Sequence, residues 1–76
     1  MKKETLTLKY IGANGGNATH LNIEFTDERG TVYTWFTASD KFDEVPYDSV
    51  VTIEAQVDHY MKGYVELKYV KIVEVE

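Results

Sequence analysis

The sequence predicts an all-β fold, a five-stranded barrel formed by one domain over residues 1–76. Three observations lead there. Apolar side chains recur with period two along most of the chain, as in half-buried strands. Turn-forming clusters of Gly, Asn and Asp separate the alternating runs. The connector at Ser39–Asp48 has room for at most a single helical turn. Five short strands leave sheet edges open to unwanted pairing, and closing the sheet on itself removes them.

In the first strand Leu6, Leu8 and Tyr10 alternate with Thr5, Thr7 and Lys9. Gly12-Ala13-Asn14-Gly15-Gly16-Asn17 follows and reads as a long loop, because Gly and Asn tolerate positive φ. Leu21, Ile23 and Phe25 then alternate with His20, Asn22 and Glu24 in a second strand. Asp27-Glu28-Arg29-Gly30 is a hairpin turn, with Asp and Gly at the favoured ends of a type I turn. Thr31 to Ala38, rich in β-branched and aromatic residues, is the third strand.

Ser39 to Asp48 is acidic, contains the only proline, Pro46, and is expected to form a connector with at most one helical turn around Asp40–Glu44. Val51, Ile53, Ala55 and Val57 alternate with Thr52, Glu54, Gln56 and Asp58 in the fourth strand. A loop at His59–Gly63 leads to a last strand from Tyr64 to Val75. There the apolar phase changes, from Val65 and Leu67 to Val70 and Ile72. A β-bulge near Tyr69–Val70, or burial on both faces, accounts for the change.

At this length the core is small, and without cysteine neither a disulfide nor a thiolate metal site reinforces it. Aromatic residues at 13%, six of them tyrosine, are the expected source of buried area. The opening MKKETLTLKY has no apolar run behind its lysines and does not read as a secretory signal. No stretch approaches the roughly 20 apolar residues of a membrane span. A cytoplasmic protein is the expectation. The net charge of −5 sets the chain, on average, against phosphate backbones and anionic lipid.

No catalytic constellation is visible, so binding is expected rather than catalysis, with no cofactor. His20 and His59 are the only imidazoles, and no HxH or HxxxH spacing joins them to a metal site. Glu24, Glu54 and Glu66 alternate outward along strands as solvating charges do. Gly12–Gly16 lacks the helix and lysine of a phosphate cradle.

Two partner classes have residues to support them. The acidic connector carries Asp40, Phe42, Asp43, Glu44, Tyr47 and Asp48, which suits a basic groove on a protein partner. Alternatively, Lys9, Lys62, Lys68 and Lys71, interleaved with Tyr60 and Tyr64 on the first and last strands and their loop, form a basic-aromatic track for single-stranded nucleic acid, together with Phe36. The sign of the net charge puts the protein partner first.

The order strand, strand, strand, connector, strand, strand resembles the OB-fold, a five-stranded Greek-key barrel. The run Asp48-Ser49-Val50-Val51-Thr52-Ile53-Glu54-Ala55-Gln56-Val57-Asp58-His59-Tyr60-Met61-Lys62-Gly63-Tyr64 is similar to the closing strand-loop-strand of small OB domains from bacteria and their phages. Asp27…Gly30…Trp35-Phe36-Thr37 resembles their second hairpin. The connector is shorter than the usual OB helix, and the net charge is opposite to that of nucleic-acid-binding members. The resemblance implies a phage or mobile-element accessory or inhibitor protein, with a ligand face on strands two and three.

Which aromatics occupy that face depends on the hairpin. A two-residue loop at Glu28-Arg29 sets Asn22 opposite Trp35 and turns Tyr33 and Trp35 outward. A type I turn with Gly30 in a G1 bulge slips the register by one, pairs Ile23 with Trp35, and turns Val32, Thr34 and Phe36 outward. Asp at the start and Gly at the end favour the bulged form.

Overall fold

The structure, a computed structural model, describes residues 3–38, 42 and 44–76. Its strands are β1 (Lys3–Gly16), β2 (Leu21–Thr26), β3 (Val32–Thr37), β4 (Val50–Met61) and β5 (Tyr64–Val75). They close into a barrel in the order β1-β2-β3-β5-β4, with β4 pairing back onto β1. Every pairing is antiparallel except β3 with β5. That parallel contact requires the chain to cross the barrel between β3 and β4, as the connector does. The result is an OB-like all-β barrel, with no helix among the described residues.

The glycine-rich stretch after Tyr10 is strand, not the expected loop. β1 pairs with β4 through Lys3–Lys9 and with β2 through Lys9–Gly16, so one strand serves two neighbours and must bend between them. The ladder shifts register between Tyr10 and Gly12 and again between Ala13 and Gly16. At Gly16, φ is +128° and a Cβ would run into the backbone carbonyl of His20. Glycine here permits a bulged, strongly bent strand to continue.

The β2–β3 hairpin takes the bulged form. Gly30 has φ +84°, its amide donates to the Asp27 carbonyl at 3.2 Å, and Ile23 pairs with Trp35 and Phe25 with Tyr33. Asp27 holds the turn together. Its carboxylate accepts from the Arg29 amide at 2.9 Å, the Thr31 amide at 3.0 Å and the Tyr33 hydroxyl at 3.1 Å. Desolvation works to raise the Asp27 pKa, but these donors and the Arg29 charge outweigh it and hold the carboxyl below its ordinary value.

The expected loop at His59–Gly63 shrinks to Lys62-Gly63, because the β4–β5 ladder runs out to Met61 and Tyr64. Residues 58–61 are exposed, so the hydrophobic alternation that marks a half-buried strand fades while the pairing persists. In β5 the phase change is a bulge: Tyr69 has φ +57° and points to solvent, and Val70 beyond it is buried. Opposite, the ladder steps from Glu54–Lys71 to Gln56–Lys68.

The core collects Leu8 and Tyr10 from β1, Ile23 and Phe25 from β2, Val51, Ile53 and Ala55 from β4, and Val65, Leu67 and Val70 from β5. Tyr33 and Trp35 pack against it. The connector closes one end. Phe42, expected as an exposed anchor for a partner, is only 3% exposed, with ring centroids 5.1 Å from Tyr10 and 5.3 Å from Phe25. An apolar ring beside an open barrel end gains more by entering it than by facing water. Asp48, at φ +67°, donates its amide to the Tyr10 carbonyl at 2.8 Å, and the Tyr10 amide donates to the Ser49 carbonyl at 2.9 Å. The helical turn expected at Asp40–Glu44 falls largely outside the described residues. Phe42 and Glu44–Asp48 form turns or irregular chain.

Candidate binding face

The registers of β2, β3 and β5 fix what the outer wall presents, since paired residues share a face and the faces alternate along each strand. One row across the wall reads Glu24, Thr34, Glu66; the row before it reads Thr26, Val32, Tyr64. The next pairs Asn22 with Phe36. Thr34 points outward yet is only 4% exposed, because it forms the floor of a concavity. Its hydroxyl donates to the Tyr64 hydroxyl at 3.2 Å. The cleft above it measures about 550 Å³ and is bounded by Asn17, Asn22, Phe36, Tyr64, Glu66 and Lys68 among others.

Phe36 is the cleft's aromatic wall. It is 54% exposed, and its ring stacks on His20 with centroids 5.2 Å apart and planes 11° from parallel. His20 is held in place by the β1–β2 turn. Asn17 Oδ1 accepts from the Thr19 and His20 amides, each at 2.9 Å, and from the Thr19 hydroxyl at 3.1 Å. Nδ1 of His20 lies 2.8 Å from that hydroxyl. The aromatic pair is therefore organised before any ligand arrives.

The charges of the wall are mainly acidic. Lys68 Nζ pairs with Asp58 Oδ1 at 3.0 Å. The Asp58 hydrogen bond raises the Lys68 pKa above its ordinary value against partial desolvation, with the charge of Asp58 and Tyr69 adding to the rise. Glu66 makes no ion pair or side-chain hydrogen bond with a described residue.

The residues of the lysine-tyrosine track do not converge. A continuous track would need β1 and β5 side by side, but β4 lies between them. Lys9 borders a separate hollow beside Asp27 and Glu28, and Lys71 is an exposed residue paired in register with Glu54. Phe36, Tyr64 and Lys68 do meet in the cleft, while Tyr60 and Lys62 stand exposed at the far end of the β4–β5 hairpin. Of the acidic connector, Phe42 is in the core, and Asp40 and Asp43 lie outside the described residues. Glu44, Tyr47 and Asp48 are exposed. Tyr47, 72% exposed, leans on Tyr10 at 6.0 Å and borders a shallow apolar groove with Leu21 and Val45.

Sequence reasoning passed over His20, Asn22, Asn17 and Glu66. The bulged register already carried the signal for Asn22. Once Asn22 opposes Phe36, His20 two residues earlier lies on the same face. Glu66 requires the parallel β3–β5 contact, which no local pattern reveals.

Among the described residues, no group of three His, Asp or Glu side chains is placed to hold a metal ion, and no helix is long and apolar enough to cross a membrane. The fold and cleft define an OB-like barrel with a preformed concave wall. No protein-family model, curated protein or solved structure matches the chain.

Proposed function

We propose that this protein is a non-enzymatic binding module that grips a protein partner on the outer wall of β2, β3 and β5. The observation that carries the reading is the His20–Phe36 stack, an exposed, prearranged aromatic surface whose surrounding charges are Glu24, Glu66 and the Asp58–Lys68 pair. An aromatic anchor in a concave polar rim suits a protein interface, and uncompensated carboxylates repel phosphate. With Phe42 committed to the core, the acidic connector has a smaller role than its composition suggests, through Glu44, Tyr47 and Asp48. The resemblance to small OB domains of bacteria and phages supports a cytoplasmic accessory or inhibitor role.

One observation favours single-stranded nucleic acid instead: the same stack, with Tyr60 exposed nearby in sequence to the cleft residue Tyr64, offers faces on which bases pack. Against it, Lys9 and Lys71 stand apart from the cleft and Lys68 is neutralised by Asp58. A labelled oligothymidylate titrated at about 50 mM salt separates the two. No binding, together with loss of partner capture in Phe36→Ala, is the expected result. Tight, salt-sensitive oligonucleotide binding that Phe36→Ala abolishes would overturn the protein-partner reading.

A further inference from the structure

We infer that the cleft recognises an arginine side chain of its partner. This rests on the protein-partner reading of the same wall and specifies its chemistry. Three features converge on a planar cation. Phe36 has one ring face stacked on His20, and the residue, more than half exposed, lines the cleft, where a flat guanidinium, which stacks on aromatic faces, can meet it. Glu66, with no partner among the described residues, borders the same cleft. Glu66 sits beside Thr34 on the adjacent strand, so its backbone is about 5 Å from that of the cleft floor at ordinary strand spacing, while Glu24, on Thr34's other side, adds negative charge outside the cleft lining. The Asn22 side chain, also without a hydrogen bond to a described residue, adds an amide oxygen at the rim.

The arrangement distinguishes arginine from its nearest alternatives. A lysine ammonium can approach Glu66 or the ring, but it has no plane with which to stack while donating from its edge. Citrulline has the plane without the charge. Among the described residues lining the cleft the one cation is Lys68, which is held by Asp58 and leaves Glu66 to the incoming group.

Amide chemical-shift mapping of the whole chain tests this with three blocked tripeptides, Gly-Arg-Gly, Gly-Lys-Gly and Gly-citrulline-Gly. The arginine peptide is expected to shift the amides of Asn22, Thr34, Phe36 and Glu66 with a millimolar dissociation constant. The lysine peptide should bind about 3-fold more weakly and the citrulline peptide about 10-fold. Glu66→Gln and Phe36→Leu, both substitutions at solvent-accessible positions, should each weaken the arginine peptide about 3- to 5-fold with the remaining spectrum unchanged. Equal binding of the citrulline peptide would overturn the arginine assignment while leaving the wall as a protein site. Shifts confined to Glu44–Asp48, or no shifts with any peptide, would also overturn it. Displacement of the arginine peptide by oligothymidylate at these amides would overturn the protein-partner reading as well.

Discussion

Phe42 and Tyr10 meet with ring centroids 5.1 Å apart and planes tilted by 38°, which joins the connector to the first strand inside the barrel. Phe42 also reaches Phe25 at 5.3 Å and Trp35 at 6.2 Å, so one connector residue touches three strands. Phe42→Ala should therefore cost about 3–5 kcal/mol in urea unfolding, the range for removing a buried ring. Tyr47→Ala, removing a mostly exposed ring directly after Pro46 in the same connector, should cost about 1 kcal/mol or less. Equal costs would mean that the connector does not plug the barrel through Phe42.

The two glycine substitutions should differ in kind. Gly30→Ala meets open space and suffers only from φ +84°, for a cost of about 1–2 kcal/mol. Gly16→Ala adds a collision with the His20 carbonyl, which is backbone and cannot rotate away. It should be the more destabilising of the two in thermal unfolding. It should also disturb the His20–Phe36 stack, visible as changed ring-proton shifts at His20.

Asp27 and Tyr33 set opposite ends of a pH profile. The Asp27 pKa is lowered in the folded state, so its contribution is present above the unfolded value near 3.8 and fades as pH falls through the folded value. The Tyr33 pKa is raised, by desolvation first and then by the Asp27 hydrogen bond and charge. Its contribution is present below the unfolded value near 10.0 and is lost as pH rises through the folded value. Unfolding midpoints followed from pH 2 to 11 should fall at both ends. Asp27→Asn should flatten the acid limb, and Tyr33→Phe the alkaline one. An unchanged acid limb in Asp27→Asn would show that other carboxylates govern it.

Lys68→Gln removes the cation that compensates Asp58 beside the cleft. Binding of the arginine tripeptide should strengthen by about 2- to 3-fold at low salt, and the gain should vanish near 0.5 M salt through screening. Unchanged or weaker binding of the peptide in Lys68→Gln would contradict a guanidinium seated beside this ion pair.

Much of the barrel was legible because its strands are half-buried. Alternation placed Leu8, Ile23, Ile53 and Val65 inward, and Asp27 with Gly30 favoured the register that turns Phe36 out. The bulge at Tyr69 showed as a change of apolar phase. What escaped was encoded in features that serve two conformations equally. Gly12, Gly15 and Gly16 have the positive φ of a loop, yet they bend a strand that remains paired. Beyond Asp58 both faces of β4 meet solvent, and the sequence has no period there to read. Phe42 looked like an anchor because composition shows an aromatic among acids but not the barrel end beside it. The cleft depends on β3 meeting β5, residues 32–35 against 64–67, and that long-range contact leaves no local mark.

The most direct test of the outer wall as the contact surface is site-specific photocrosslinking in cells, with p-benzoylphenylalanine introduced at Phe36 in one variant and at Tyr47 in another. The expected result is a discrete protein adduct from position 36 and little or none from position 47. Adducts only from position 47, or nucleic acid attached at position 36, would contradict it.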